Sequence, residues 1–340
     1  MPERPYIRDL QANQYTDGVF AIQNAQLGKT KNGKPFLKAL IADKTGRTPA
    51  RMWSITEDHF ATLPTDGFVW LAGQTQPYQG EMQIIVQEIR AHEPSDHELK
   101  DLLPSTEHDI DQMFGEVLSL LQSLEHPAIK SLADRYLEDG ELMGRFCHAP
   151  AAVTLHHAYL GGLLEHTLGL MKAADALLPL YPKLSRDVVL MGLFLHDLGK
   201  CHELSWLQGF QYTRDGQLVG HIGRGAILLE TKAQACQDPE LGEAALKVPD
   251  AILQVLTHII FSHHGIPEYG ALKTPATPEA IFVANLDNLD AKMNMALAEA
   301  RPTHPKSAAT GPAGEAEFTE KIWALDTKLY KPDPTTVPDA

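Results

Sequence analysis

Hydrophobic positions follow two different periods along this 340-residue chain. Between residues 15 and 92 they come in short runs bounded by turn residues. Gly18–Ile22 and Pro35–Ile41 flank the turn signal Lys31-Asn32-Gly33-Lys34, which predicts a hairpin. A second turn, Asp43-Lys44-Thr45-Gly46, leads into Thr48–Trp53. Gly67–Gly73 and Met82–Val86 follow, joined through Pro77-Tyr78-Gln79-Gly80, and Thr56–Leu63 reads as a short helix between the third and fourth strands. From Asp109 the period becomes helical. Ile110, Met113, Val117, Leu120, Leu121 and Leu124 recur at helical spacing, and further helices are predicted over 151–178, 186–199, 220–236, 250–262 and 278–300.

Five short strands with one helix before the fourth is the element order of an OB-fold, a small barrel that commonly binds oligonucleotides. The expected architecture is therefore multidomain: an all-β OB barrel over 1–95, a helical linker over 96–150 and an all-α domain over 151–300. The polar stretch His92–Glu107, with Pro94 and Pro104, marks the first boundary. Within 301–340, the Pro-, Ala- and Gly-rich segment after Pro302 predicts a flexible excursion, and Phe318–Tyr330 predicts a further amphipathic helix.

Charge sharpens this division. Residues 1–95 carry equal numbers of basic and acidic side chains, so the net charge of −15 resides in the remainder. Within the neutral part, Lys29, Lys31, Lys34, Lys38, Lys44, Arg47 and Arg51 face only Asp43, a basic strip that reads equally as a nucleic-acid footprint or a solvated hairpin. The three cysteines, Cys147, Cys201 and Cys236, are scattered and include no C-x-x-C, which fits a reducing cytoplasm. No apolar run approaches the ~20 residues of a membrane helix, so a soluble, cytoplasmic protein without a membrane partner is expected.

Candidate chemistry lies in the helical part. Leu193-Phe194-Leu195-His196-Asp197-Leu198-Gly199-Lys200 ends an apolar stretch on two adjacent metal-competent side chains. His166, His221, the doublet His263-His264 and Asp287 each sit at the edge of a separate helical segment. Helices of a bundle can aim such residues at one interior point. His148, His202 and His258 read as ordinary core or surface histidines, and so, on balance, does the pair His156-His157. Mixed imidazole and carboxylate donors suit Mn²⁺ best, with Fe²⁺ or Co²⁺ as alternatives.

The order His, His-Asp, His, His-His, Asp resembles the HD superfamily of metal-dependent phosphohydrolases. Together with the OB-like region, the chain resembles the OB–HD 3′→5′ exoribonucleases of the YhaM type. Three runs carry the closer match: Gly33-Lys34-Pro35-Phe36 with Asp43-Lys44-Thr45-Gly46; His157 through Glu165-His166-Thr167; and Ser262-His263-His264-Gly265 with Asp287-Asn288-Leu289-Asp290-Ala291-Lys292. The resemblance implies one metal centre at His166, His196, Asp197 and Asp287. It implies a second at His221, His263 and His264, with Asp197 bridging the pair. Asp290 rivals Asp287 as the final ligand and ranks behind it. Lys200 resembles a lysine that some relatives aim at the phosphate, with a salt-bridged helix-end lysine as the alternative.

For nucleic acid, Phe36, Trp53 and Tyr78 are candidates for base stacking, and Lys34, Lys38 and Arg51 for the backbone. Phe36 reads more readily as a core residue. Arg224, one turn after His221, is a further candidate, against an ordinary surface arginine. The expected activity is 3′→5′ exonucleolytic hydrolysis of single-stranded RNA, or DNA, with a free 3′ end, releasing nucleoside 5′-monophosphates. An HD phosphohydrolase acting on a small nucleotide, and a non-catalytic single-strand-binding protein, are the alternatives. A homo-oligomer is compatible with either enzyme.

Overall fold

A computed structural model describes residues 4–30, 32–78, 81–153, 157–206, 210–301, 317–333 and 335. Five strands, β1 (Tyr15–Lys29), β2 (Pro35–Asp43), β3 (Gly46–Trp53), β4 (Gly67–Tyr78) and β5 (Glu81–Ala91), close into a barrel in the order β1-β2-β3-β5-β4. A short helix, α1 (Glu57–Ala61), precedes β4. The N-terminal region is thus the OB-like barrel that the strand pattern predicts. Alternation fixes which side chains enter it. Leu37, Ala39 and Ile41 of β2 are buried with Phe20, Ile22, Val69, Leu71 and Ile84, while Phe36 and Lys38 occupy the outer face.

The remainder is largely helical: α2 (Asp96–Leu102), α3 (Ile110–Gln122), α4 (Pro127–Leu137), α5 (Gly140–His148), α6 (Gly162–Leu177), α7 (Arg186–Leu195), α8 (Lys200–Glu203), α9 (Arg214–Leu218), α10 (Gly220–Ala235), α11 (Asp250–Ser262) and α12 (Pro278–Ala300). Their apolar faces share one core, in which Phe194 packs edge-on against both Tyr136 and Phe146. A two-stranded hairpin, β6 (Leu204–Ser205) with β7 (Gln211–Tyr212), interrupts the helices. Runs of two residues lie below the reach of any periodicity argument.

Barrel and helices meet through Ala21, Phe68, Leu99, Leu102, Leu103 and Leu160, flanked by Trp206 and Phe210 of the hairpin segment. Lys44 of the basic strip is committed to this junction. Its ammonium donates to Asp101 Oδ1 at 2.7 Å, so it belongs to the seam rather than to a strand-binding face.

The helix expected over Phe318–Tyr330 is corrected. Phe318 pairs antiparallel with Tyr330 and Ile322 with Thr327, around a short 3-10 turn, Trp323–Leu325. Asp326 adopts the left-handed region at φ 52°, which reverses the chain where a helix would continue. The excursion expected over 302–314 lies outside the described residues, as do Lys31, Gln79, Gly80 and His156.

Candidate metal centre

Helix ends create the site. His196 caps the C-terminus of α7, Asp197 follows in the next turn, and Lys200 opens α8. His263 caps α11, and the αL glycine Gly265 (φ 81°) stops that helix immediately beyond His264. His166 projects from α6, His221 from the start of α10 and Asp287 from α12. His166, His196, Asp197 and His263 are buried.

These side chains form two adjoining donor sets that share Asp197. On one side, Asp197 Oδ2 lies 3.7 Å from His166 Nε2 and 3.5 Å from His196 Nε2. His166 Nε2 is also 3.2 Å from His196 Nε2 and 3.3 Å from Asp287 Oδ1. On the other side, Asp197 Oδ1 lies 3.6 Å from His221 Nε2 and 3.5 Å from His263 Nε2, and His264 completes a group able to hold a cation. The structure therefore brings all seven predicted donors together.

Whether a divalent ion fits is answered by unpartnered atoms. Asp197 Oδ1, His221 Nε2, His263 Nε2 and His264 Nδ1 are buried and have no hydrogen-bond partner among the described residues. An unsatisfied buried polar atom costs about 1–3 kcal/mol. Four converging on one point are reconciled by a cation, whose bonds to such donors run ~2.0–2.2 Å. The outer nitrogens agree. Nδ1 of His196 sits 2.7 Å from Leu193 O, that of His263 2.8 Å from Ile260 O, that of His221 3.0 Å from Glu203 Oε2, and that of His166 2.8 Å from Asp290 Oδ2. Each Nδ1 faces an acceptor and is placed to donate to it, so that a neutral ring would present the lone pair of Nε2 inward.

This geometry separates Asp287 from Asp290. The two lie on one face of α12, but Asp287 meets the inner nitrogen of His166 and Asp290 the outer one. Asp290 is placed to support His166, although it also forms with His157 and His166 a group able to hold a cation. Glu203, which accepts from both the backbone N–H and Nδ1 of His221, is placed likewise on the other side. Sequence reading did not single out Glu203. It also set aside His157, which lies 3.2 Å from Asp290 Oδ2.

The electrostatics suit ion capture. Burial holds His196 down to about 4, so its imidazole is neutral, and burial likewise lowers His263 and His264. Burial opposes the charge on Asp197, but the Lys200 ammonium and the surrounding imidazoles outweigh it and hold the carboxyl well below its usual range. Lys200 Nζ donates to Asp197 Oδ2 at 2.6 Å, the ion-paired arrangement.

His166 differs. Burial disfavours its cation, yet Asp287 and Asp290 more than offset this and raise it to about 9. A proton must therefore leave when a cation takes Nε2. Ion uptake at pH 7 is expected to release about one proton, with affinity rising about tenfold per pH unit up to pH 9. Calorimetry in buffers of different ionisation enthalpy measures this, and uptake without proton release would refute it. The stability sign is opposite. A raised histidine stabilises the metal-free fold below its ordinary value of 6.5, and that contribution is lost as pH rises through about 9.

On the barrel, Phe36 and Trp53 are cross-strand partners with ring centroids 5.2 Å apart. The Phe36 ring lies across Gly28 of β1, where any Cβ would come within 2.6 Å of it. The Arg51 guanidinium sits 6.0 Å from the Trp53 ring and 5.5 Å from that of Tyr78. Trp53 and Tyr78 are about half exposed, at 47% and 49%, and exposed Lys38 pairs in register with Arg51. Phe36 thus belongs to an outer aromatic face, not to the barrel core. Lys34 is exposed in the adjoining turn. Arg224, in contrast, is engaged by Asp215 through both Nε and Nη2.

Comparison with known proteins agrees with this picture. Residues 163–292 match the family model described as the HD domain. The chain is similar to the 3′-5′ exoribonuclease YhaM of Geobacillus sp. (strain WCH70), with 32% identity over 95% of this chain and 93% of that protein. It is 33% identical to 3′-5′ exoribonuclease YhaM of Shouchella clausii (strain KSM-K16), over 96% of each chain. The solved second OB-fold domain of replication protein A from Methanococcus maripaludis matches 27% of this chain and 96% of its own, at 17% identity and a TM-score of 0.22. The barrel assignment rests on its own strand order rather than on that likeness. With both YhaM proteins matched over more than nine-tenths of their length and the HD domain matched in the helical part, the chain belongs to the YhaM family of HD-domain exoribonucleases.

Proposed function

We propose that this protein is a divalent-metal-dependent 3′→5′ exonuclease of single-stranded RNA, releasing nucleoside 5′-monophosphates, with Mn²⁺ as the working ion. The observation that carries the reading is Asp197, whose two carboxylate oxygens face two separate donor sets. Bound between these residues, two divalent ions would supply the chemistry of water activation and of charge neutralisation at the phosphate and the leaving 3′ oxygen. The chain's own part is to hold and orient. His166, His196 and Asp287 serve one side of Asp197, and His221, His263 and His264 the other. Lys200 adds a positive charge beside Asp197, where an incoming phosphate also needs one. The aromatic face of the barrel and its Lys38 and Arg51 would collect the strand by stacking and charge.

The place of action is proposed to be the cytoplasm. The three cysteines are free, two of them buried, as a reducing compartment favours. Among the described residues, no helix is long and apolar enough to cross a membrane.

Incubation of 5′-end-labelled RNA with the protein and Mn²⁺, with and without EDTA, tests the reading. Stepwise shortening from the 3′ end that EDTA abolishes is expected. Turnover of small nucleotides alone would replace it with a small-molecule phosphohydrolase, and a mobility shift without cleavage would leave only a binding protein.

A further inference from the structure

His196 and His263 anchor their outer nitrogens to carbonyls three residues earlier, which helix ends leave free. His166 has no such option. It lies inside α6, where the carbonyls are used by the helix itself, so its outer partner must come from elsewhere. That partner, Asp290, stands on α12 and keeps about a quarter of its side-chain surface exposed. A partly solvated carboxylate needs something to hold it.

A continuous set of side chains supplies the hold. His157 Nε2 lies 3.2 Å from Asp290 Oδ2, and His157 Nδ1 lies 2.7 Å from the Tyr159 hydroxyl. Tyr159 donates to Glu165 Oε1 at 2.9 Å, and the Thr106 hydroxyl donates to Glu165 Oε2. Thr106 belongs to the segment that enters the helical domain from the barrel. Ser105 there pairs in parallel with Leu160; the Leu160 N–H donates to Pro104 O at 2.8 Å, and the Thr106 N–H to Leu160 O at 2.9 Å. His157 is buried and held at φ 53°, in the left-handed region.

We propose that His157, Tyr159, Glu165 and Thr106 form a positioning chain that, through Asp290, fixes the His166 ring and ties one metal position to the junction between barrel and helices. The proposal rests on the metal reading above. None of the four touches the reacting atoms; they act through His166.

The test uses the full-length, metal-stripped protein titrated with Mn²⁺ by calorimetry, with electron paramagnetic resonance to count bound ions. His221→Ala, which takes one donor from the other set and weakens it, identifies which binding step belongs to His166. Tyr159→Phe is expected to weaken the His166 step by about 10- to 100-fold, the usual effect of losing an outer partner, and to leave the other step unchanged. Thr106→Val, farther from the ions, should weaken the same step less. Glu203→Gln should weaken only the opposite step. Unchanged affinity in both Tyr159→Phe and Thr106→Val overturns the proposal, and so does equal weakening of both steps, which marks a loss of fold. If Tyr159→Phe does not fold, Thr106→Val decides alone. Wild-type protein that binds no Mn²⁺ would remove the metal site itself, and this chain's role with it.

Discussion

Asp197→Ala is expected to lower kcat by about 10³-fold or more, because two ions held as proposed would supply several kcal/mol of transition-state stabilisation. Bound metal should fall with it, whereas His264→Ala should remove ion from one side only. The asymmetry follows from position. Of the Asp197 oxygens, Oδ2 faces His166 and His196, and Oδ1 faces His221 and His263, so this carboxylate stands between the two sets. Removing it also strands the Lys200 ammonium, a buried charge that loses its 2.6 Å partner. Leaving such a charge unpaired typically costs about 3–5 kcal/mol. Asp197→Asn, which keeps the shape, separates lost chemistry from lost stability. Elemental analysis and turnover on the same samples give the answer; full ion content with wild-type turnover in either variant would refute the shared carboxylate.

The double variant Trp53→Ala/Tyr78→Ala should bind a long single strand about 30- to 1,000-fold more weakly, the loss of ~2–4 kcal/mol for two stacked bases. Turnover of a dinucleotide too short to reach the barrel should change by no more than about twofold. The contrast matters because both rings lie on the barrel's outer face, bracketing Arg51, and neither belongs to the metal donors. Equal loss on long and short substrates would mean that the variant disturbs the helical domain. No loss on the long one would remove the aromatic face from strand binding.

Much of this was legible in the chain. The barrel was visible because turn residues punctuate it and because β-strand alternation is a local property. The candidate donors stood out because two doublets close separate apolar helices, a pattern with few structural causes. Their supports were not. Asp287 and Asp290 share one helix face, and only the orientation of the His166 ring tells inner from outer carboxylate. Glu203 carries no spacing signature, and His157, though it opens one of the runs that carry the resemblance, reads by itself as an ordinary histidine; each is placed by a partner on another element. The apolar positions between Phe318 and Tyr330 suit a helix or a hairpin equally, and a single left-handed residue, Asp326, decides for the reversal. Phe36 was ambiguous because a ring lying flat across a glycine on the neighbouring strand is half-buried without being part of the core.

Gly265 carries a consequence for anyone seeking a hardier protein. His263 and His264 belong to one donor group, and α11 ends directly beyond them at this left-handed glycine. Replacing a glycine by alanine is a standard route to thermal tolerance where the backbone permits it. At φ 81° it does not: an alanine there would strain the turn that ends α11 directly after His264. A search for hardiness that swaps glycines for alanines would lose stability here, right beside two residues of the candidate centre.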